Sequence, residues 1–371
     1  MNLSSTIDAL INRLRPDATA GMQTFVGIDG YVDRIQKVVQ SQGASENQYF
    51  DTISALAGRI GQAAGKSAQL ELVNQVVKAG GNAPIMAHAL GSLGVANHCL
   101  GNFGQGSIHP VFQALSDNCS LLSLGKPAET NALEFDDGKL ILSEVSAFSR
   151  QDWAFVQQQY PAEILIQTIN PCQVVALVDW CNLPLATDVW QGILKDVVPN
   201  LNQAIERQYF FDLADPSKKS VAEIRQVVEV INGYQAYGEV TLGLNENEAY
   251  RLADALLPKK ANAQTPLENV CQQLYDQLSI DYLLVHPLDR SVIVSSKGVQ
   301  TVEGRIVQKP LLSTGGGDNL NAGFCLGKMI GCSIAASAVL GMATSGAYVQ
   351  NGRSPGIEEL KEYLQQWKNS I

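Results

Sequence analysis

Short apolar runs recur along the chain and predict buried strands. In chain order they read TFVG, ILIQTI, VVALVDW, YFFDLA, EVTLGLN and DYLLVH. Between several of them, apolar residues recur every three or four positions, as in DVWQGILKDVVPNLNQAIE and SVAEIRQVVEVINGY, and this spacing predicts helices. Strands separated by helices indicate an α/β fold with a doubly wound, mainly parallel sheet that is flanked by helices.

Three segments do not fit this alternation of strand and helix, at about 31–50, 68–78 and 128–147. Their patterns predict exposed strands, and the last one predicts a hairpin that turns at Asp136, Asp137 and Gly138. We expect these strands to form a small β lid, inserted into a single α/β domain that spans residues 1–371. Because exposed strands often pair with another chain, we also expect a homodimer through the lid.

Composition argues against several classes of function. The 371 residues are 46% hydrophobic and 17% charged, which is typical of a globular protein. The net charge of −10 argues against nucleic-acid binding, because phosphate backbones require clustered lysine and arginine. Seven scattered cysteines without a C-x-x-C pair are typical of a reduced, cytoplasmic protein. Residues 329–350 are uncharged but rich in small residues, which predicts a buried helix pair and no membrane span.

Three consecutive glycines, Gly315, Gly316 and Gly317, follow the strand-like RIVQKPLL and stand before Asp318. Glycines at the start of a helix allow a ligand to approach closely and direct unpaired N–H groups at an anion, such as a phosphoryl group. The Asp318 carboxylate would repel phosphate, but it could accept a proton from an attacking hydroxyl. The alternative is that Asp318 only caps the helix behind a glycine turn.

Polar residues follow two further predicted strands. Gly80, Gly81 and Asn82 join a strand to a helix, so the Asn82 amide could face substrate hydroxyls or simply cap the helix. Asp29 and Asp33 lie beyond the end of the first strand. Ligands of open parallel sheets bind at the carboxyl ends of the strands, so these acids could bind sugar hydroxyls. Alternatively, they are solvated acids in a turn.

Asn245 and Glu248 lie three residues apart at a predicted strand-to-helix junction, LGLNENEA. Both side chains could face one site, directly or through a metal-bound water. The alternative is a capping box that only begins the helix. His88 and His286 offer less, and we interpret both as packed or capping histidines.

Together these stretches resemble the ribokinase-like (PfkB) family of carbohydrate kinases, over nearly the whole chain. GGNAPIMAHALGSLG resembles the first signature of that family, a double glycine leading into an Ala-rich helix. STGGGDNLNAGF resembles the second and more specific one, of the form D-T-x-G-A-G-D-x-F-x-x-G. The resemblance implies an α/β core with a β lid, and ATP-dependent phosphorylation of a hydroxymethyl group on a sugar or sugar-like small molecule.

The resemblance also implies roles for individual residues. Asp318 would be the catalytic base, and the backbone of the three glycines would form the anion hole. Asn245 and Glu248 match a motif linked to Mg²⁺ and phosphate, with Glu248 reaching the metal through water. The residues expected at the nucleotide are Asn245, Thr314 and Gly317, and those expected at the substrate are Asp29, Asp33, Gly80, Gly81 and Asn82. Mg²⁺ and ATP are implied, and a monovalent cation is compatible with the family.

The chain departs from the family signatures at several positions. Leu312 replaces the leading Asp of the second signature, Gly316 replaces its Ala, and Ile85 replaces an Asn of the first. HPLDRS at 286–291 stands where many members carry a T-x-G turn. These changes leave the substrate open between a sugar and a nucleoside. They also leave open a non-catalytic ligand sensor that retains the fold.

A nucleotide-cofactor oxidoreductase ranks last among the alternatives. Its fold class would fit the alternating strands and helices, but GIDGYVD at the first strand lacks the G-x-G-x-x-G fingerprint that such enzymes need. A nucleoside substrate would require aromatic contacts from the lid. Tyr31 and Phe50 are candidates for that role, and they are equally candidates for lid packing.

Overall fold

The structure is a computed structural model that describes residues 2–15, 17–43, 46–258, 265–312 and 314–371. The strands within these ranges are β1 (Gln23–Gly27), β2 (Tyr31–Ser41), β3 (Gln48–Tyr49), β4 (Leu72–Gly80), β5 (Ala96–Gly101), β6 (Cys119–Ser123), β7 (Ala128–Phe135), β8 (Gly138–Glu144), β9 (Val174–Leu177), β10 (Gln208–Asp212), β11 (Glu239–Asn245), β12 (Tyr282–His286), β13 (Arg290–Ser295) and β14 (Gly298–Glu303). The helices are α1 (Leu3–Arg13), α2 (Ile53–Gly61), α3 (Asn82–Ser92), α4 (Trp153–Gln159), α5 (Ala162–Ile169), α6 (Ala186–Gly192), α7 (Val221–Gly233), α8 (Glu246–Leu256), α9 (Leu267–Tyr275), α10 (Gly316–Met329), α11 (Ile334–Asn351) and α12 (Ile357–Lys368).

The larger sheet has the order β14-β13-β12-β11-β10-β9-β1-β5-β6. Neighbouring strands from β12 to β6 run parallel; for example, Val26 of β1 pairs with Cys99 on one side and Ala176 on the other. Only the β12–β13 and β13–β14 pairs among these described strands are antiparallel. The prediction of a mainly parallel sheet is confirmed, and its parallel strands end along one edge, called here the carboxyl edge.

Alternating side chains of the central strands pack against helices on opposite faces. In β9, Val175 and Leu177 lie in a core shared with α4 to α9. Val174 and Ala176 point the other way, into a core shared with α1, α3, α10, α11 and α12. All four residues are buried, which explains why this strand is an uninterrupted apolar run. The sheet is therefore doubly wound, as predicted.

The predicted lid is a separate five-stranded sheet. Strand β2 pairs antiparallel with β4 and β3 and parallel with β7, and the β7–β8 hairpin turns at Asp136 and Asp137 as expected. Phe50 packs with Val38, Leu56 and Leu133 in a small core of the lid, which favours its interpretation as lid packing.

The uncharged segment 329–350 includes the end of α10 and most of α11, which pack together as a buried pair. Small residues allow this close contact, because a Cβ on Gly341 would lie 2.7 Å from the carbonyl oxygen of Leu320. No helix in the described part of the chain combines the length and the apolar composition that a membrane crossing requires.

Several local predictions were wrong. ILIQTI forms helix α5 instead of a strand, because only Leu165 and Ile169, four residues apart, are buried while Ile164 is exposed. RIVQKPLL forms neither strand nor helix, since Pro310 cannot donate to a sheet ladder. The helix predicted over 188–206 is regular only to Gly192, and irregular helical turns follow to residue 200.

Candidate active site

The three glycines form a turn (residues 314–317, called here the glycine turn) that begins α10. Gly315 has φ +94°, a left-handed conformation that glycine adopts without strain. The hydroxyl of Tyr348 donates to the carbonyl oxygen of Thr314 at 2.7 Å, and the Asn319 side-chain amide donates to the Gly315 carbonyl at 2.9 Å. The first N–H groups of a helix lack acceptors within the helix, so an anion could bind at this turn, as predicted.

The glycine turn separates two cavities. The lid cavity, of about 140 Å³, lies between the lid and the carboxyl edge. Its polar lining includes Asp33, Asn82, Asp179, Asn182 and Thr314. The helix cavity, of about 460 Å³, lies beside α11. Its lining includes Asn245, His286, Gly316, Gly317, Met342 and Ser345. One cavity therefore ends at the first residue of the turn, and the other ends at its last two glycines.

Five acidic residues meet at the carboxyl edge. Asp29 follows β1, Asp179 follows β9 and Asp212 ends β10, while Glu248 and Asp318 lie in the first turns of α8 and α10. Four of these five side chains are buried, and Asp318 is half-buried. Asp179 and Asp212 were not predicted as site residues. The sequence contained a signal for both residues, because each follows an apolar run that was predicted as a strand, as Asp29 does.

Burial raises the pKa of these carboxyl groups. It raises the pKa of Asp29 to about 7, and the charge of Asp318 adds to the effect. It raises the pKa of Glu248 to about 8, with a further contribution from the charge of Asp212. The pKa of Asp318 lies well above its usual range because of desolvation and the charges of Asp212 and Asp179. The ionised form of a carboxyl group with a raised pKa is a stronger base, and a nearby cation would stabilise that form.

Asp29 caps helix α3. Its two carboxylate oxygens accept the backbone N–H groups of Asn82 and Ala83, each at 2.7 Å. Gly81 stands before the helix with φ +101°, and a Cβ at this position would meet the Asp29 carboxylate. Asn82 is therefore the first residue of the helix instead of its cap. These hydrogen bonds from α3 to Asp29 hold the double glycine against the carboxyl edge. A contact between Asp29 and the substrate stays a prediction.

Asp33 lies on β2 and faces the double glycine. A Cβ on Gly80 would collide with the Asp33 carboxylate, so any larger residue there would displace this carboxylate from its observed position. Burial raises the pKa of Asp33, against the opposing charge of Lys78 on the neighbouring strand. Asp33 and Asn82 line the same cavity, as the predicted substrate contacts require.

Asn245 and Glu248 form the capping box that was the alternative interpretation. The Asn245 N–H donates to Glu248 Oε2 at 2.8 Å, and the Glu248 N–H donates to Asn245 Oδ1 at 2.9 Å. The box does not exclude a binding role, because Asn245 also lines the helix cavity. His286 lines that cavity as well, beside Gly317, and burial lowers its pKa to about 4, so its ring is neutral.

A model of the prokaryotic ketohexokinase family matches residues 5–367. The chain belongs to this family. A ketohexokinase of Haloferax volcanii is 27% identical over 352 residues, which cover 94% of this chain and 92% of that protein. This kinase is therefore a phosphotransferase that acts on an alcohol group of a carbohydrate, and the resemblance to ribokinase-like carbohydrate kinases is confirmed.

Solved structures confirm the ribokinase fold of this ketohexokinase-family chain. A ribokinase of Thermotoga maritima is similar with a TM-score of 0.60 and 14% identity, covering 93% of this chain and 99% of that one. A ribokinase II of Escherichia coli, solved with ATP and Mg²⁺, is similar with a TM-score of 0.61 and 12% identity, with coverage of 93% and 99%.

The acids of this kinase fit Mg²⁺ in the manner usual for nucleotide enzymes. Within the described ranges, no three His, Cys, Asp or Glu side chains are arranged to hold a metal ion by themselves. Mg²⁺ is usually held by one or two carboxylates together with the phosphates of the substrate. The oxygen donors of Asp212 and Glu248 suit that arrangement, because the charge of Asp212 lies close enough to Glu248 to raise its pKa.

Proposed function

We propose that the protein transfers the γ-phosphoryl group of ATP to a hydroxymethyl group of a ketohexose. The observation that carries this proposal is the position of the glycine turn between the two cavities. A sugar in the lid cavity and a nucleotide in the helix cavity would meet at its N–H groups. Membership of the prokaryotic ketohexokinase family supports a ketohexose as the acceptor.

Asp318 acts as the general base in this proposal. The sugar hydroxyl attacks the γ-phosphorus, its proton passes to the Asp318 carboxylate, and the bond from phosphorus to the ADP oxygen breaks. The raised pKa of Asp318 makes its ionised carboxylate a stronger base. The N–H groups of Gly315, Gly316 and Gly317 stabilise the charge that develops on the phosphoryl oxygens.

The substrate site is formed by the double glycine and the lid. Asp33 and Asn82 bind hydroxyl groups of the sugar, while Gly80 and Gly81 allow the backbone to approach it. Asp29 acts mainly by holding α3 in place, since both of its oxygens accept helix N–H groups. The lid covers the sugar and excludes water, which limits ATP hydrolysis.

The nucleotide site comprises Asn245 and Gly317, which line the helix cavity, and Thr314, which lies at the other end of the glycine turn in the wall of the lid cavity. Glu248 would bind Mg²⁺ through a water. The Escherichia coli structure with ATP and Mg²⁺ supports this choice of cosubstrate and metal. When bound, Mg²⁺ neutralises phosphate charge during the transfer. We also propose that a monovalent cation supports the reaction. Replacing K⁺ by a bulky organic cation in the assay should then lower the rate of phosphorylation.

Homodimer formation through the lid is also part of the proposal. The lid exposes Leu72, Val76, Ile141 and Leu142, each between 44% and 55% accessible. Apolar side chains on exposed strands favour pairing with a second copy. Sedimentation of the purified protein tests the dimer.

All seven cysteines are free thiols, which supports the cytoplasm as the location of the protein.

ADP release in the presence of ATP and Mg²⁺ tests the proposed reaction. The acceptors are D-fructose and two other ketohexoses, an aldohexose, ribose and adenosine. We expect release that depends on a ketohexose. A preference for adenosine would identify a nucleoside kinase instead. No release with any acceptor, combined with tight binding of one of them, would identify a non-catalytic sensor.

A further inference from the structure

A third cavity, called here the side cavity, lies outside both proposed substrate sites. It measures about 310 Å³ and lies between β4, α3, residues 110–115 and the end of α11. Its lining residues differ from those of the lid and helix cavities, and it opens to solvent at Pro110, Ala114 and Arg353. Two departures from the family signatures, Ile85 and Leu312, line it together.

The walls of the side cavity are mainly apolar. They are formed by Val77, Ala79, Ile85, Val111, Ala114, Leu115 and Leu312. The volume is at the small end of the range for cavities that bind small molecules. A ligand with a short aliphatic part would therefore exchange water for contact with these walls.

One polar group in the wall lacks a partner. Ser354 is 4% exposed, and its buried Oγ has no hydrogen-bond partner in the described part of the chain. Buried hydroxyl groups in proteins are normally hydrogen-bonded, so this unpaired one points to a ligand or water that completes it. The Oγ lies behind the cavity wall, and rotation about the Cα–Cβ bond of Ser354 would turn it toward the cavity.

Further donors and positive charge surround this hydroxyl. His88 Nδ1 accepts the N–H of Ser116 at 3.0 Å, so the ring proton lies on Nε2 and is available for donation. Lys78 and Arg353 both line the cavity. Arg353 pairs with Glu359, at 3.1 Å for one of the two contacts, and its remaining N–H groups are spare donors.

We propose that the side cavity binds a short-chain aliphatic carboxylate. The carboxylate accepts hydrogen bonds from His88 and from Ser354, whose hydroxyl turns toward it, and is attracted by Arg353; the charge of Lys78 is already opposed by Asp33. The aliphatic chain packs against Ile85 and Leu312. This ligand is separate from both the sugar and the nucleotide.

The side cavity lies directly behind the glycine turn. Tyr348, in its wall, donates to the carbonyl of Thr314, and Ile85 Cγ2 lies 3.3 Å from the position of a Cβ on Gly315. A ligand that contacts Tyr348 and Ile85 therefore contacts the residues that hold the anion hole. One consequence rests on the proposed function: a carboxylate bound in the side cavity changes kcat for sugar phosphorylation and does not compete with the sugar for its site.

Calorimetric titration of the full chain with hexanoate tests the site, and it needs no enzymatic activity. Hexanol and inorganic phosphate are titrated in parallel. We expect saturable binding of one hexanoate per chain, and weaker binding of hexanol and of phosphate. Absence of saturable hexanoate binding, or tighter binding of either comparison compound, overturns the proposal.

Two variants locate the binding. Ala114→Phe places a ring at the mouth of the side cavity, and Gln113→Phe places the same ring on the exposed neighbouring residue outside it. We expect hexanoate affinity to fall at least about tenfold in Ala114→Phe and to stay unchanged in Gln113→Phe. Ser354→Ala, which only removes the hydroxyl, should weaken it about threefold to tenfold. Unchanged affinity in Ala114→Phe or in Ser354→Ala overturns the assignment.

Kinetics separate this inference from the proposed function. If hexanoate binds in the side cavity but no sugar is phosphorylated, the site stands and the proposed reaction fails. If a ketohexose is phosphorylated and hexanoate binds without changing kcat, the link between the side cavity and the glycine turn is refuted.

Discussion

The Tyr31 hydroxyl lies 3.1 Å from Asp179 Oδ2 and donates a hydrogen bond to it. Tyr31 begins the central lid strand, whereas Asp179 follows a central strand of the larger sheet and has a left-handed backbone, with φ 59°. Asn182 donates to the other Asp179 oxygen at 2.5 Å. The ring of Phe148 packs edge-on against Tyr31, at 5.2 Å between ring centres. The lid is therefore joined to the carboxyl edge at its base.

Tyr31→Phe removes this hydrogen bond and keeps the ring. Because Asp179 is buried, the loss of a donor should lower the free energy of unfolding by about 1–2 kcal/mol. Urea denaturation measures the change. Tyr49→Phe, at a half-buried lid position, is the control and should leave the midpoint nearly unchanged. Equal midpoints for the two variants would contradict a structural role for the bond.

Gly315→Ala tests the conformation of the glycine turn. The added Cβ would lie 2.7 Å from the Tyr348 hydroxyl, so the turn must shift and kcat should fall at least about tenfold. The positive φ adds about 1 kcal/mol of strain. Gly65→Ala is the matched control, since Gly65 has φ +73° but no atom within 4 Å of the added Cβ.

In thermal unfolding, Gly65→Ala should lose only the stability that its positive φ costs, Gly315→Ala should lose at least as much, and only Gly315→Ala should lose turnover. Full activity of Gly315→Ala would show that the anion hole does not require the observed turn.

Stability should fall as pH rises from 6.5 to 8. The folded pKa values of about 8 for Glu248 and about 7 for Asp29 exceed the ordinary values of 4.5 and 3.8. The folded chain therefore binds more protons than the unfolded chain in this window, so the free energy of unfolding decreases with pH. His286, whose pKa is lowered to about 4 from 6.5, has the opposite effect, but only below pH 6.5.

Glu248→Gln tests the origin of this slope. Glutamine retains the capping box but cannot ionise, so the decrease in stability between pH 6.5 and 8 should become smaller. Glu246→Gln, on the exposed side of the same helical turn, should leave the slope unchanged. Denaturation midpoints measured between pH 6.5 and 8 give the pH dependence of stability for each variant. A stability that rises with pH in the wild-type protein would refute the assignment.

Much of the fold follows from local pattern. The buried strands β9, β10, β11 and β12 are apolar runs because helices cover both of their faces, and the lid hairpin follows from its turn residues. Helix α5 was missed because an apolar run of six residues fits a strand or a helix equally well. What decides is which residues face the core, and this depends on distant parts of the chain.

Part of the candidate site, like part of the fold, could be predicted from the sequence, and part could not. The glycine turn could be expected from residue types, because glycine adopts a left-handed turn before a helix without strain, whereas the role of Asp318 was implied by the family resemblance and stays a prediction. Asp29 could not be recognised as the cap of α3, since that contact joins residues more than fifty positions apart. Asp179 and Asp212 were missed although each follows a predicted strand, because the sequence pattern does not give the strand order that brings them beside Asp29.

Asp318→Asn is the most direct test of the proposed mechanism. The amide keeps the size of the side chain but cannot accept the proton, so kcat for phosphorylation of a ketohexose should fall at least about a hundredfold. ATP affinity, measured by calorimetry, should change little, and Asp117→Asn on an exposed turn should retain full activity. Near wild-type turnover of Asp318→Asn would contradict the assignment of Asp318 as the catalytic base.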